Sequence, residues 1–249
     1  MGRLVRLPER TALDRACAAW LARRLQSGAG PVVFAACGGR SVDGILAALP
    51  GQAGVPWERV HVFLVDERVV PAGHADSNLR QLHAGLVAPL ASAGLLPAGN
   101  LHAFAFPQHP SVAAEAAAVE SCNRALRALG GRFDAVLLSA GEDGHVAALF
   151  PGHRSFDDPA QGYIRFDDSP KPPASRVSAS RALLLRSRAA ALVFAGESKR
   201  AALAGFIACG RPDPDAGLGR LAVLDRQPVP ACLVRALPEW AAFTDLDHR

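Results

Sequence analysis

Five short stretches of this chain carry side chains suited to binding an anion and moving a proton. The first is Gly141-Glu142-Asp143-Gly144-His145. A histidine behind a glycine-rich turn suits a general base, because imidazole changes charge near neutral pH. The second is Cys37-Gly38-Gly39-Arg40-Ser41. Paired glycines between a strand and a helix let backbone N–H groups approach an anion, while Arg40 and Ser41 add a cation and a hydroxyl. The third, Asp66-Glu67-Arg68, offers a fixed cation flanked by acids where negative charge could develop, with Asn78 as a polar group near the next helix start. The last two are cationic: SPKPPASR, with Lys171 and Arg176, and GESK, with Lys199. Lys171 and Lys199 are the only lysines in a chain that otherwise uses arginine. Taken singly, each stretch also reads as a tight turn, a surface ion pair, a capping residue or a solvated charge. Their location is what favours the chemical reading.

The elements that position these residues alternate between short apolar runs and longer helical patterns. Residues 9–25 carry apolar side chains at helical spacing, with arginines on the opposite face. Strands are predicted at 31–36, 61–67, 133–141 and 189–196. Helices are predicted at 42–49, at 77–90 with Ser77 or Asp76 as N-cap, at 111–129, and after Glu197. A further helix is expected to begin at His145. Residues 156–173 give no clear period. Strands alternating with helices imply an α/β fold, a mainly parallel open sheet flanked by helices on both faces in a modified Rossmann-like arrangement. Ligands collect at the carboxyl ends of the strands in such sheets. CGGRS, DER, GEDGH and GESK all fall there.

Composition bounds the remaining possibilities. The 249 residues are half hydrophobic and 20% charged, without repeats or low-complexity tracts, which suits one globular domain over 1–249. The net charge of +4 and pI near 9.1 are spread along the chain, with no basic stripe of the kind that reads nucleic acid. No apolar stretch approaches a membrane span, and the N-terminus has no leader-like apolar core. Five widely spaced cysteines without a CxxC pair argue against a disulfide framework or zinc knuckle and for a reducing, cytoplasmic setting. No Walker loop, dinucleotide fingerprint, metal-ligand spacing or G-x-S-x-G elbow is present, so neither a cofactor nor a serine nucleophile is expected.

In chain order the stretches resemble the 6-phosphogluconolactonase family, whose fold is shared by glucosamine-6-phosphate deaminases and ribose-5-phosphate isomerases. The resemblance runs through GGRS, DER, DSN, DGH followed by LFPGH, SPKPP and its following arginine, and the glycine and lysine of GESK, and continues weakly in PVPACLVR and EWAAFTD. It implies cofactor-free hydrolysis of a phosphorylated sugar lactone by a monomer or small homo-oligomer. His145 would activate water, Arg68 would stabilise the reacting centre, and Asp143 would orient the histidine or the sugar. Gly38, Gly39, Arg40, Ser41, Arg176 and Lys199 would surround the phosphate. Asp66, Glu67, Asn78 and Gly144 complete the expected substrate contacts. Val42, Val146 and Ala148 stand where the family commonly has Pro, Thr and Ser. A deaminase would read DEY and DGHIAFNEP in place of DER and DGHVAALFPGH. A non-catalytic sugar-phosphate sensor would carry a DNA-binding module, and no such pattern is seen.

Overall fold

Apolar runs without polar alternation require strands covered on both faces, since successive side chains point to opposite sides of a sheet. VVFAA and AAALVF meet this condition, and every residue of both is buried. A computed structural model describes residues 2–26, 28–104, 106–209 and 229–247. Its strands are β1 (Gly2–Arg6), β2 (Val32–Ala36), β3 (Val60–Leu64), β4 (Asp66–Arg68), β5 (Leu101–His102), β6 (Ala135–Ser139), β7 (Tyr163–Phe166), β8 (Arg176–Ala179), β9 (Ala189–Phe194) and β10 (Glu239–Thr244). The helices are α1 (Arg10–Leu25), α2 (Asp43–Ala48), α3 (Asn78–Leu82), α4 (Ala88–Ser92), α5 (Val112–Ala128), α6 (Arg154–Asp157), α7 (Arg181–Leu185) and α8 (Arg200–Ala208).

Seven strands form one parallel sheet in the order β1-β10-β9-β6-β2-β3-β5. This is the α/β class expected from the alternation. Helix α1 packs across β2, β6, β9 and β10. Around the sheet Trp20, Phe34, Phe63, Phe133, Phe194 and Phe243 are fully buried.

One expectation about the strands needs correction, and one unassigned stretch turns out to hold a strand. Residues 61–67 do not form one strand, because the chain changes sheets at Val65. Its N–H donates to Ala36 O at 2.9 Å in the parallel sheet, while its carbonyl accepts from Ala179 N at 2.7 Å in a second sheet. That sheet is antiparallel, ordered β4-β8-β7, with Arg68 opposite Arg176. Residues 156–173, which lack a period, contain β7 and supply its edge.

Helix starts follow the local chemistry. Ser111 and Ser77 accept from the N–H groups of Ala114 and Arg80, as N-caps do. Helix α3 continues through a π-turn at His83–Val87 into α4. The reading of five unpaired cysteines is overturned. Cys209, just after α8, and Cys232, in the 3-10 helix Pro230–Ala236, are joined by a disulfide. Cysteine usage therefore no longer argues for a reducing compartment. Pro228 of PVPACLVR lies outside the described residues. Among the described residues no helix is long and apolar enough to cross a membrane.

Candidate active site

At the carboxyl ends of β2, β6 and β9 lies a cleft of about 680 Å³. Gly38, Gly39, Arg40, Ser41, Asp66, Arg68, Asn78, His145 and Lys199 line it, so nine of the expected site residues come together there. Asp143, Glu67, Gly144 and Arg176 do not line it.

His145 is the best-defined group. Its Nδ1 lies 2.5 Å from Asp143 Oδ1, and its ring packs on Phe150 with centroids 4.8 Å apart. With Nδ1–H donating to this carboxylate, the neutral ring presents the Nε2 lone pair to the cleft side as acceptor. The turn is shaped to allow this. A Cβ on Gly141 would sit 2.0 Å from His145 Nδ1 and 2.7 Å from Asp143 Oδ1, so position 141 has no room for a side chain. No helix begins at His145. Leu149 N instead closes a turn on Val146 O at 3.0 Å, and Ala147, at φ 53°, occupies the left-handed region that non-glycine residues rarely adopt. Ser178 of β8 holds this turn by accepting from Ala148 N at 3.1 Å. Burial alone would push the Asp143 carboxyl up. The hydrogen bond and charge of His145, with help from Lys171, hold it well below the usual carboxylate range.

The glycine loop departs from the simplest anion cradle. Gly39 takes φ +106°, but its N–H donates to Gln81 Oε1 at 2.6 Å and is already satisfied. Gly38 is needed for close approach, since a Cβ there would meet Asn78 Oδ1 at 2.2 Å. Asn78 in turn donates to Asp66 O and Oδ2 at 2.9 and 3.3 Å. Burial raises the Asp66 carboxyl, and Arg68, Arg176 and His145 oppose that rise.

Arg68 donates to Asp76 O at 2.6 Å, and its buried Nε has no hydrogen-bond partner among the described residues. Glu67 points away from the cleft. One of its oxygens accepts from Arg68 N and Asn78 N, the other from Ser77 Oγ and Leu79 N, all within 3.0 Å. It is a cap for α3. Arg176 is 5% exposed and donates to the carbonyls of Lys171 and Pro172. Gly144, at φ +81°, packs under Val229.

Sequence reasoning missed several lining groups. Arg10, the first residue of α1, donates to Ser41 O at 2.6 Å and to Asp14 at 2.9 Å. Nothing in the helical pattern separates it from the other arginines of α1. Lys171, singled out in the sequence as one of two lysines but given no role there, also lines the cleft, with Nζ 3.3 Å from Asp143 Oδ2. Ser139, Glu142, Ser198 and Asp245 add to the polar wall. Burial pushes the Lys199 ammonium down, Glu142 and Asp143 oppose this, and Lys171 and Arg40 add to it. Among the described residues no group of three or more His, Cys, Asp or Glu could hold a metal ion.

Residues 8–235 match the model of the glucosamine-6-phosphate isomerase/6-phosphogluconolactonase family. A 6-phosphogluconolactonase of Borreliella burgdorferi is 35% identical over 172 residues, covering 69% of this chain and 71% of that protein. The chain belongs to the 6-phosphogluconolactonase family. A probable chloroplastic member of the family from Oryza sativa subsp. indica is 33% identical over 197 residues, which cover 74% of this chain and 58% of that one. The chain thus spans a little over half the length of that rice relative. A crystal structure of a family member from Thermotoga maritima shares the fold, with TM-score 0.78 at 23% identity, over 98% of this chain and 99% of that one. Val42, Val146 and Ala148, where the chain departs from common family residues, are buried and do not line the cleft.

Proposed function

We propose that this protein hydrolyses 6-phosphoglucono-1,5-lactone to 6-phosphogluconate, with His145 as general base and Arg68 at the reacting centre. The observation that carries this reading is the Asp143–His145 pair beside a cleft lined by Arg10, Arg40, Arg68, Lys171 and Lys199. Neutral His145 Nε2 accepts a proton from water as the water oxygen attacks the lactone carbonyl. Arg68 stabilises the tetrahedral oxyanion. The imidazolium then returns its proton to the departing ring oxygen, the C–O bond opens and the free acid ionises. Arg40, Ser41 and Lys199 hold the phosphate, so its binding energy orients the lactone for attack. Arg176 supports the loop carrying Lys171 from behind the cleft.

The deciding experiment follows lactone hydrolysis above its spontaneous rate, with glucosamine 6-phosphate as a deaminase control. His145→Ala should lower turnover by about 10²–10⁴-fold, the usual worth of a general base. Wild-type-like hydrolysis by folded His145→Ala protein would rule out that base, and release of ammonia from glucosamine 6-phosphate would rule out the lactonase reading.

A further inference from the structure

The proposed reaction leaves Lys171 without a part, yet the loop bearing it is built with care. Ser169 Oγ donates to Lys171 O at 2.8 Å and accepts from Lys171 N at 3.2 Å. Ser169 N closes the loop on Ala174 O at 3.1 Å. Arg176, buried beneath, donates to the carbonyls of Lys171 and Pro172 at 3.2 and 2.9 Å. This scaffolding delivers one ammonium to Asp143 Oδ2, at 3.3 Å, while Asp143 Oδ1 stays on His145 Nδ1 at 2.5 Å. The two oxygens of the carboxylate are thus divided between a lysine and the histidine.

From this division we propose that Lys171 is a positioning residue for His145, pinning Asp143 from its far side and moderating the negative charge that His145 feels. The inference rests on the reading of His145 as the base. Two physical effects lie behind it. The Asp143 side chain is 36% exposed, so without a second partner its carboxylate could rotate away from the ring. A lone carboxylate would also stabilise the imidazolium and so keep the base protonated, and an adjacent cation offsets this. The other groups facing the pair are few. Asp66 interacts with His145 from β4, with Arg68 and Arg176 around it. Lys199, from the turn before α8, senses Asp143, Lys171, Glu142 and Arg40. Among the described residues it is Lys171 that pairs with Asp143 Oδ2, at 3.3 Å.

The test titrates the imidazole of His145 by NMR in the full-length protein, comparing wild type with Lys171→Met and Lys171→Arg. A nearby cation disfavours a second positive charge, so Lys171→Met should raise the midpoint. Lys171→Arg should restore the wild-type midpoint. The acid limb of kcat should move upward with it, with little change in KM. An unmoved midpoint with KM raised about tenfold or more, the worth of one charged hydrogen bond, would overturn the proposal and make Lys171 a phosphate ligand only. The titration needs no turnover, so the two readings can fail separately. A shifted midpoint in a protein that opens no lactone would sink the proposed function alone. An unshifted midpoint in an active enzyme that depends on His145 would sink this inference alone.

Discussion

Lys199 and Arg176 entered as equivalent phosphate-binding cations, and their surroundings separate them. Lys199 faces the cleft and lies among charges of both signs, with burial lowering its proton affinity. A phosphate dianion would offset that burial. A charged hydrogen bond is worth about 1.5–3 kcal/mol, so Lys199→Ala should reduce kcat/KM on the phosphorylated lactone by roughly one to two orders of magnitude. Unphosphorylated gluconolactone serves as the control, and its slow hydrolysis should barely change. Equal losses on both lactones would place Lys199 at the reacting centre or in the fold. The residues legible in advance were those whose types stand out from their neighbours: a histidine between glycines and acids, or a lysine among arginines. Arg10 was not legible, because one more arginine on an arginine-bearing helix gives no local signal. Glu67 misled for the opposite reason. A strand-end acid has the same sequence signature whether it faces substrate or, as here, the N–H groups of a neighbouring helix.

That helix sets the problem at the scale of elements. The first N–H groups of an α-helix have no partner within the helix. In α3, Asn78 N and Leu79 N donate to Glu67 and Arg80 N donates to Ser77 Oγ, so the start of α3 is tied to β4. Burial raises the Glu67 carboxyl, with those backbone donors opposing the rise. Glu67→Gln replaces one acceptor oxygen with an NH₂ that faces two donors. At about 1–3 kcal/mol for each buried donor left unsatisfied, the loss in unfolding free energy should be about 2–6 kcal/mol. Urea denaturation of Glu67→Gln measures it, and a change below about 0.5 kcal/mol, the usual size for an unlinked surface change, would show that the cap contributes little. The central strands β2, β6 and β9 were legible because continuous apolar runs fix both their type and their burial. The small sheet β4-β8-β7 was not. Its strands are three or four residues long, and its register depends on a change of sheet at Val65 that is decided by partners distant in sequence. Yet this sheet carries Arg68, anchors the Lys171 loop through Arg176, and steadies the turn after His145 through Ser178.

At the scale of the whole molecule, the first and last strands lie side by side, and the chain returns to them through the 3-10 helix at Pro230–Ala236. On that return Ala231 N donates to Gly144 O at 2.9 Å, and Val229 packs where a side chain at Gly144 would stand. The turn bearing His145 is therefore braced by a segment distant in sequence. The Cys209–Cys232 disulfide, at a sequence separation of 23, ties the end of α8 to that segment. Cross-linking a loop of this length restricts the unfolded chain and should stabilise the fold by about 3 kcal/mol. For a protein of this size that corresponds to a Tm difference of about 6–12 °C. The expected result is a drop of that order when wild-type protein is scanned with reductant. The same drop should appear in Cys209→Ser/Cys232→Ser without reductant, and reductant should then have no further effect. Cys17, Cys37 and Cys122 are buried free thiols and give no competing disulfide to reduce. Turnover below the melting range should be preserved, because the Ala231–Gly144 hydrogen bond involves neither cysteine. A Tm indifferent to reductant in a protein whose free-thiol count confirms reduction would show that loop closure adds nothing to stability. A loss of turnover at unchanged Tm would instead make the disulfide a brace for the His145 turn alone.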